Sequence, residues 1–283
     1  MRQIREKVAL VTGAASGIGR AIALRLAREG ADLFLVDVDA EMLAVTVSET
    51  ESLGVRAVGY VCDLAERDEV RRIKDVVLQT FGRVDILVNN AGVCYYGSTI
   101  RMSQLQWDRL MAVNLEAPMQ ITRDLLPTLL SRPDAHVVNV ASVCGFVAVR
   151  QYVAYTVSKF GLLGFTEALR AEFGRQGLGV TCVCPGLVST DLLSSAELAR
   201  EDKPVPIPPA WSCATAERVA DKTIRGINRD KRLVLVTPLA YVLYYLNRFA
   251  PYVFDVMNRW GRRRRLLKKK HQAESVVNEK HAA

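Results

Sequence analysis

Seven short apolar runs, separated from one another by amphipathic segments, most constrain how this 283-residue chain can fold. They stand at Lys7–Thr12, Ala31–Asp37, Val55–Val61, Val84–Asn89, His136–Ala141, Val180–Pro185 and Leu233–Val236. Apolar runs this short suit strands buried on both faces, as in a parallel sheet covered by helices. The alternation predicts one α/β domain, a doubly wound parallel sheet of about seven strands with helices on both faces. A chain of this length buries ample core without splitting. It shows no internal repeat beyond the rhythm itself and no low-complexity linker.

The first run leads straight into Gly13-Ala14-Ala15-Ser16-Gly17-Ile18-Gly19, after which Ala21, Ile22, Leu24, Leu26 and Ala27 continue as a helix. Strand, glycine loop and helix together put free backbone N–H groups at a helix N-terminus, where a pyrophosphate can bind. The spacing is G-x-x-x-G-x-G rather than the more widespread G-x-G-x-x-G. Eighteen residues past Gly19, Asp37 closes the second run. A carboxylate there accepts hydrogen bonds from both adenosine ribose hydroxyls and repels a 2′-phosphate. Val38 follows it, and the loop itself holds no Arg or Lys to receive that phosphate. These features make the sheet Rossmann-like and favour NAD, with NADP as the alternative.

Tyr155 and Lys159 stand four apart, thirteen residues after Ser142. On a helix that spacing puts phenol and ammonium on one face. A phenol of reference pKa about 10 is a poor proton carrier at neutral pH, and a neighbouring cation brings it toward the working range.

Taken in order, these motifs resemble those of the short-chain dehydrogenase/reductase family over residues 7 to about 237. The family's glycine motif corresponds to Thr12–Gly19, its adenine-contacting Asp to Asp63 beside Leu64, and its Asn-Asn-Ala-Gly stretch to Asn89, Asn90, Ala91 and Gly92. Its helix Asn corresponds to Asn114, its Ser–Tyr–Lys set to Ser142, Tyr155 and Lys159, and its Pro-Gly to Pro185-Gly186, followed by Val188 and Thr190. The resemblance implies the strand order 3-2-1-4-5-6-7 and hydride transfer between a nicotinamide and an alcohol or ketone. It implies Tyr155 as general acid/base and Lys159 lowering its pKa while holding the nicotinamide ribose. Ser142 would hydrogen-bond the reacting oxygen, Asn114 would hold a water leading to solvent, and Thr190 would meet the carboxamide. A homodimer or homotetramer is implied as well. Tyr152 shares the Tyr155 helix, but only Tyr155 has the Tyr-x-x-x-Lys spacing, so Tyr152 is read as lining the substrate pocket.

The substrate is expected to be lipophilic. The segment from about 187 to 215 is rich in apolar residues and prolines, among them Leu192 and Trp211, and Tyr95, Cys144 and Tyr152 are further pocket candidates. No Arg or Lys is placed to hold a carboxylate or phosphate. The readings to weigh against an NAD-dependent oxidoreductase are an NADP-dependent carbonyl reductase of the same family and a non-catalytic binding or scaffold protein of the same fold. Six cysteines show no metal-ligand spacing, and two of the three histidines lie near the C-terminus, so no catalytic metal is expected. The N-terminus has no apolar h-region, which points to a cytoplasmic protein with reduced thiols.

Beyond the expected catalytic domain, 1–237, the chain departs from the resemblance. Residues 238–260 read as an amphipathic aromatic helix. Asn247, Arg248, Pro251, Asp255, Asn258 and Arg259 gather in one arc of about 120°, and Pro251 is expected to kink it. It has fewer than the ~20 uninterrupted apolar residues that span a bilayer. Residues 1–258 hold 29 basic against 28 acidic residues, whereas Arg259–Lys270 carries eight cations and no acid. The basic character therefore belongs to the tail, 261–283, and its approach. An aromatic amphipathic helix followed by cations fits peripheral contact with an anionic membrane, and packing on the domain or on a second subunit is the competing expectation. No nucleic-acid reading module accompanies the charge.

Overall fold

The computed structural model describes residues 3–189, 197–198 and 213–256. In chain order the first half runs β1 (Val8–Thr12), α1 (Gly17–Arg28), β2 (Asp32–Asp37), α2 (Ala40–Glu51), β3 (Ala57–Val61), α3 (Arg67–Phe81), β4 (Ile86–Asn89), β5 (Tyr95–Tyr96) and α4 (Gln104–Met111). A π-helical turn, Ala112–Glu116, then joins α4 to α5 (Ala117–Leu130). There follow β6 (His136–Val140), α6 (Val153–Phe173), β7 (Gly179–Cys184), β8 (Glu197–Leu198), α7 (Ala216–Asn228), β9 (Leu233–Leu235) and α8 (Pro238–Phe249).

Seven strands form one parallel sheet in the order β3-β2-β1-β4-β6-β7-β9. Counting only those strands, this is the expected 3-2-1-4-5-6-7. Strand alternation divides the core between two helical layers. Ala9, Val11, Leu33 and Leu35 face Ile22 and Leu26 of α1, with Val219 and Ile224 of α7 in the same cluster. Leu10, Phe34 and Val36 belong to the opposite cluster, with Ile73 of α3 and Ile121 and Leu125 of α5. Burying side chains of this size stabilises the fold by about 1.5–3 kcal/mol each before entropy is counted. Each helical layer therefore holds because the central strands are apolar on both faces.

Reversal of the crossover between β1 and β4 opens a crevice at the carboxyl ends of the strands, where α/β sheets take ligands. A second parallel ladder, β5 with β8, was not among the expected strands. Two residues give no periodicity to detect, and Tyr95 and Tyr96 pair with Glu197 and Leu198, far along the chain.

The chain separates into two units, Met1–Tyr241 and Val242–Ala283. The kink expected at Pro251 is a full break. Helix α8 ends at Phe249, and helical structure resumes at Tyr252 and runs to 256. Proline lacks the N–H that would continue the ladder, and it disfavours helical geometry at Ala250. In the second unit the Tyr245 and Phe249 rings stack with centroids 6.3 Å apart and an interplanar angle of 8°. Val242, Tyr245, Phe249, Tyr252 and Val256 are exposed. Among the described residues, no helix is long and apolar enough to cross a membrane.

Candidate active site

The glycine loop is welded to the end of β4. Thr12 Oγ1 accepts from the backbone N–H groups of Asn90 and Ala91 at 3.0 and 3.1 Å, and Asn90 Nδ2 donates to the carbonyls of Thr12 and Gly13. Space then dictates the glycines. A Cβ on Gly19 would lie 1.8 Å from the Gly13 carbonyl oxygen, and one on Gly13, whose φ is +64°, would lie 2.8 Å from Ala91 Cα. Ser16 precedes α1 in an extended conformation and makes no side-chain cap. The first-turn N–H groups at Gly17, Ile18 and Gly19 therefore lack a capping side chain, which suits them to an anionic ligand.

Asp37 lies beside this loop at the end of β2. Its Oδ2 accepts from the Ala15 N–H at 2.8 Å, and its Oδ1 from the Asp39 N–H at 3.1 Å. Val38 is 58% exposed. Arg20, the nearest cation after the loop, donates to both carboxylate oxygens of Glu49 on α2. After the next strand, β3, Asp63 accepts from the Ala65 N–H and pairs with Arg109 of α4 at 3.2 Å, while Leu64 is buried. Nothing in local sequence signals the Arg20–Glu49 and Asp63–Arg109 pairs, because the partners of each sit on separate elements far apart in the chain.

Ser142, Tyr155, Lys159 and Asn114 are brought together and are all buried. Ser142 stands just past the end of β6 and accepts from the Cys144 N–H at 3.2 Å. Tyr155 and Lys159 share one face of α6, with Lys159 Nζ 5.6 Å from the Tyr155 ring centre and donating to the Val140 carbonyl at 3.0 Å. Asn114 lies in the π turn. Its Oδ1 accepts from the Val93 N–H, and its Nδ2 donates to the Val93 carbonyl and to Ser158 Oγ. Such bulges concentrate at functional sites, and this one turns Asn114 toward Gly92. A Cβ on Gly92 would lie 3.4 Å from Asn114 Oδ1 and 3.5 Å from Lys159 Nζ.

Burial governs both ionisable groups. It raises the Tyr155 phenol well above its ordinary value, with the nearby Cys144 and Cys94 adding to the effect and the Ser142 hydroxyl opposing it. Burial also lowers the Lys159 ammonium to about 8. The lowering of the Tyr155 pKa expected from Lys159 is therefore outweighed by desolvation.

Around Tyr155 lies an apolar cluster of Cys94, Tyr95, Leu110 and Ala154, with Tyr96, Cys144 and Tyr152 packed against it. Of the expected pocket residues, Tyr95, Cys144 and Tyr152 are gathered here, as is Tyr96. Pro185, Gly186 and Val188 follow β7. Gly186 is fitted so closely to Thr237 that a Cβ would lie 2.3 Å from its hydroxyl oxygen, and Val188 bridges to Ala214. Thr190, Leu192 and Trp211 lie outside the described residues. A groove of about 910 Å³, lined by Leu64, Arg67, Trp107, Arg109, Glu116 and Arg123 among others, includes none of Ser142, Tyr155 and Lys159 in its lining.

The short chain dehydrogenase family model matches residues 7–201, spanning every one of these motifs up to Thr190. The chain belongs to the short-chain dehydrogenase family. Among its relatives is the 3-oxoacyl-(acyl-carrier-protein) reductase of Thermotoga maritima, 35% identical over 200 residues, covering 70% of this chain and 81% of that protein. Human 17-beta-hydroxysteroid dehydrogenase 13 is 30% identical over 253 residues, covering 88% of this chain and 81% of that protein. A short-chain dehydrogenase/reductase from Burkholderia phymatum, solved in complex with NAD, superposes with a TM-score of 0.79. It is 29% identical and covers 88% of this chain and 95% of that one. Within this short-chain dehydrogenase, sequence reasoning missed Thr12 as the fastener of the glycine loop and missed the π turn. The Thr12 hydroxyl was legible in the motif, but the π turn had no local signal.

Proposed function

We propose that this short-chain dehydrogenase transfers hydride between NAD(H) and a lipophilic secondary alcohol or ketone, with Tyr155 as general acid/base. The observation that carries the proposal is the burial of Ser142, Tyr155 and Lys159 side by side, beside the Asn114 turn, at the carboxyl ends of the strands. Nicotinamide, when bound, supplies the hydride. In the reducing direction the Tyr155 hydroxyl gives its proton to the carbonyl oxygen; in the oxidising direction it takes that proton back. The Ser142 hydroxyl hydrogen-bonds the same oxygen as charge develops. Lys159 stabilises the phenolate and holds the nicotinamide ribose, and Asn114 holds a water through which the proton reaches solvent.

For the rest of the cofactor, the N–H groups of Ser16, Gly17, Ile18 and Gly19 would take the pyrophosphate, on a loop that Gly13 lets pack closely against Ala91. Asp37 takes the adenosine ribose hydroxyls, and Asp63 and Leu64 take the adenine. Asn90, Ala91 and Gly92 line the central cleft. Pro185, Gly186, Val188 and Thr190 receive the nicotinamide. Asp37 favours NAD over NADP, and the engagement of Arg20 by Glu49 supports that preference. The apolar cluster about Tyr155 supports a lipophilic substrate, as does the similarity to a protein named as a hydroxysteroid dehydrogenase.

Screening alcohols and ketones of graded chain length by nicotinamide absorbance, with both cofactors, tests the proposal. Turnover that rises with apolar chain length supports it. Turnover confined to NADP(H) would indicate the carbonyl reductase alternative, and tight NAD binding without turnover of any compound would leave a binding or scaffold role.

Assembly and membrane contact belong to the same proposal. Val153, Val157 and Phe160 form an exposed apolar stripe on α6, each 44% exposed, which supports a homodimer or homotetramer. The exposed aromatic residues of the second unit, followed in sequence by eight cations, support peripheral contact with an anionic membrane.

A further inference from the structure

Gln151 holds a left-handed backbone conformation, φ +68°, which is uncommon for a residue with a Cβ. Two hydrogen bonds hold the residue here, and both come from neighbouring residues, Tyr96 and Gly97. The Gly97 N–H donates to the Gln151 carbonyl at 2.9 Å, and the Tyr96 hydroxyl donates to Gln151 Oε1 at 3.0 Å. The turn before α6 is thus fastened to the end of β5 and the residue after it, through both backbone and side chain.

The next residue in the chain is Tyr152, whose ring lies 5.1 Å from the Tyr96 ring, tilted by 51°. On its other side the Tyr152 ring lies 6.3 Å from the Tyr155 ring, edge-on at 64°. Three aromatic rings therefore run in contact from the Gln151 bond to the Tyr155 phenol. Rings tilted at this spacing offer face and edge to a further flat π system, and such aromatic pairs gain more than area burial alone supplies.

From this geometry we infer that Gln151 is a positioning residue for substrate choice. By holding Tyr96 it holds Tyr152, and the two rings form a wall beside Tyr155. That wall selects an alcohol or ketone whose reacting carbon bears an aryl or fused-ring group over an open-chain one with the same number of carbons. The inference rests on the reading of Tyr155 as the acid/base group. Gln151 itself touches no substrate.

The test measures binding before turnover. Acetophenone and octan-2-one, equal in carbon count, are titrated into the full chain with and without NAD by calorimetry or ligand-observed NMR. Wild type is expected to prefer the aryl ketone. Gln151→Gly relieves the backbone conformation and removes the acceptor, while Tyr96→Phe removes the donor and keeps the ring. Each is expected to reduce the preference about fivefold, the size of one neutral hydrogen bond. The double variant is expected to lose no more than either single one, and Gln151→Glu, which keeps the acceptor, to restore the preference. A merely structural role would weaken both ketones alike. That result, or a wild type without preference, overturns the inference. Turnover of the same ketones then judges the underlying reading: preferential binding without any nicotinamide oxidation would retain the wall and remove Tyr155 as acid/base.

Discussion

Lys159 lies 5.6 Å from the centre of the Tyr155 ring, yet its ammonium donates to the Val140 carbonyl, 3.0 Å away. The cation is therefore anchored to the last residue of β6, just before the chain reaches Ser142. Strand and helix are thereby locked together beside Tyr155. Burial of both groups leaves the phenol protonated and the ammonium close to its titration range.

Tyr155→Phe removes the ionisable oxygen and little else, so turnover is expected to fall nearly to background while NAD still binds. Tyr152→Phe is expected to change KM more than kcat. Steady-state kinetics with an independent cofactor titration decide the matter; wild-type turnover by Tyr155→Phe would end the assignment.

Cofactor preference is expected to follow Asp37. Replacing Asp37 by Ser together with Val38→Arg removes two ribose hydrogen bonds and one repulsion and adds a cation. The ratio of kcat/KM for NADP to that for NAD is expected to rise by at least about tenfold, since charge-assisted hydrogen bonds contribute about 1.5–3 kcal/mol each. A native preference for NADP would contradict the reading.

Lys159 also makes stability depend on pH. Its folded pKa is lowered to about 8 from an ordinary 10.5, so between those values the unfolded chain binds the extra proton. Stability from this group rises with pH across the window, and below about 8 its burial costs the most. Measured against a Lys159→Met variant, wild type is expected to gain up to about 1.4 kcal/mol per pH unit through this window. Denaturant titrations of both proteins at neutral pH and near pH 10 provide the comparison, and a pH-independent difference would refute it.

Vesicle binding is expected of the full chain through its second unit. It should sediment with anionic vesicles at low salt and be released as salt screens the cations. Removing residues 261–283 should weaken that binding and leave turnover of a small soluble substrate intact. If the protein fails to sediment even at low salt, packing on the domain or a second subunit takes the place of the membrane reading. Cutting before Pro238 should then lower stability or dissociate the assembly.

Sequence alone determined the sheet, its helical layers and the placing of Tyr155 and Lys159 on one helix face. Those depend on local rules: apolar runs read as buried strands, Gly13 and Gly19 sit where no Cβ fits, and the four-residue spacing of Tyr155 and Lys159 is a property of any helix. Only the tertiary structure decided how these parts are held. The π turn places Asn114 where it hydrogen-bonds Val93 and Ser158, partners that lie on other segments of the chain. Gln151, at positive φ, is held by Gly97 and Tyr96, which come from a distant part of the chain. Arg20, the first cation after the glycine loop, is engaged by Glu49 from another helix, a pairing that nothing near it in the chain announces. The pKa of Tyr155 reverses for the same reason, since burial is a property of the surrounding fold, and no spacing along the chain reports how much water a side chain has lost.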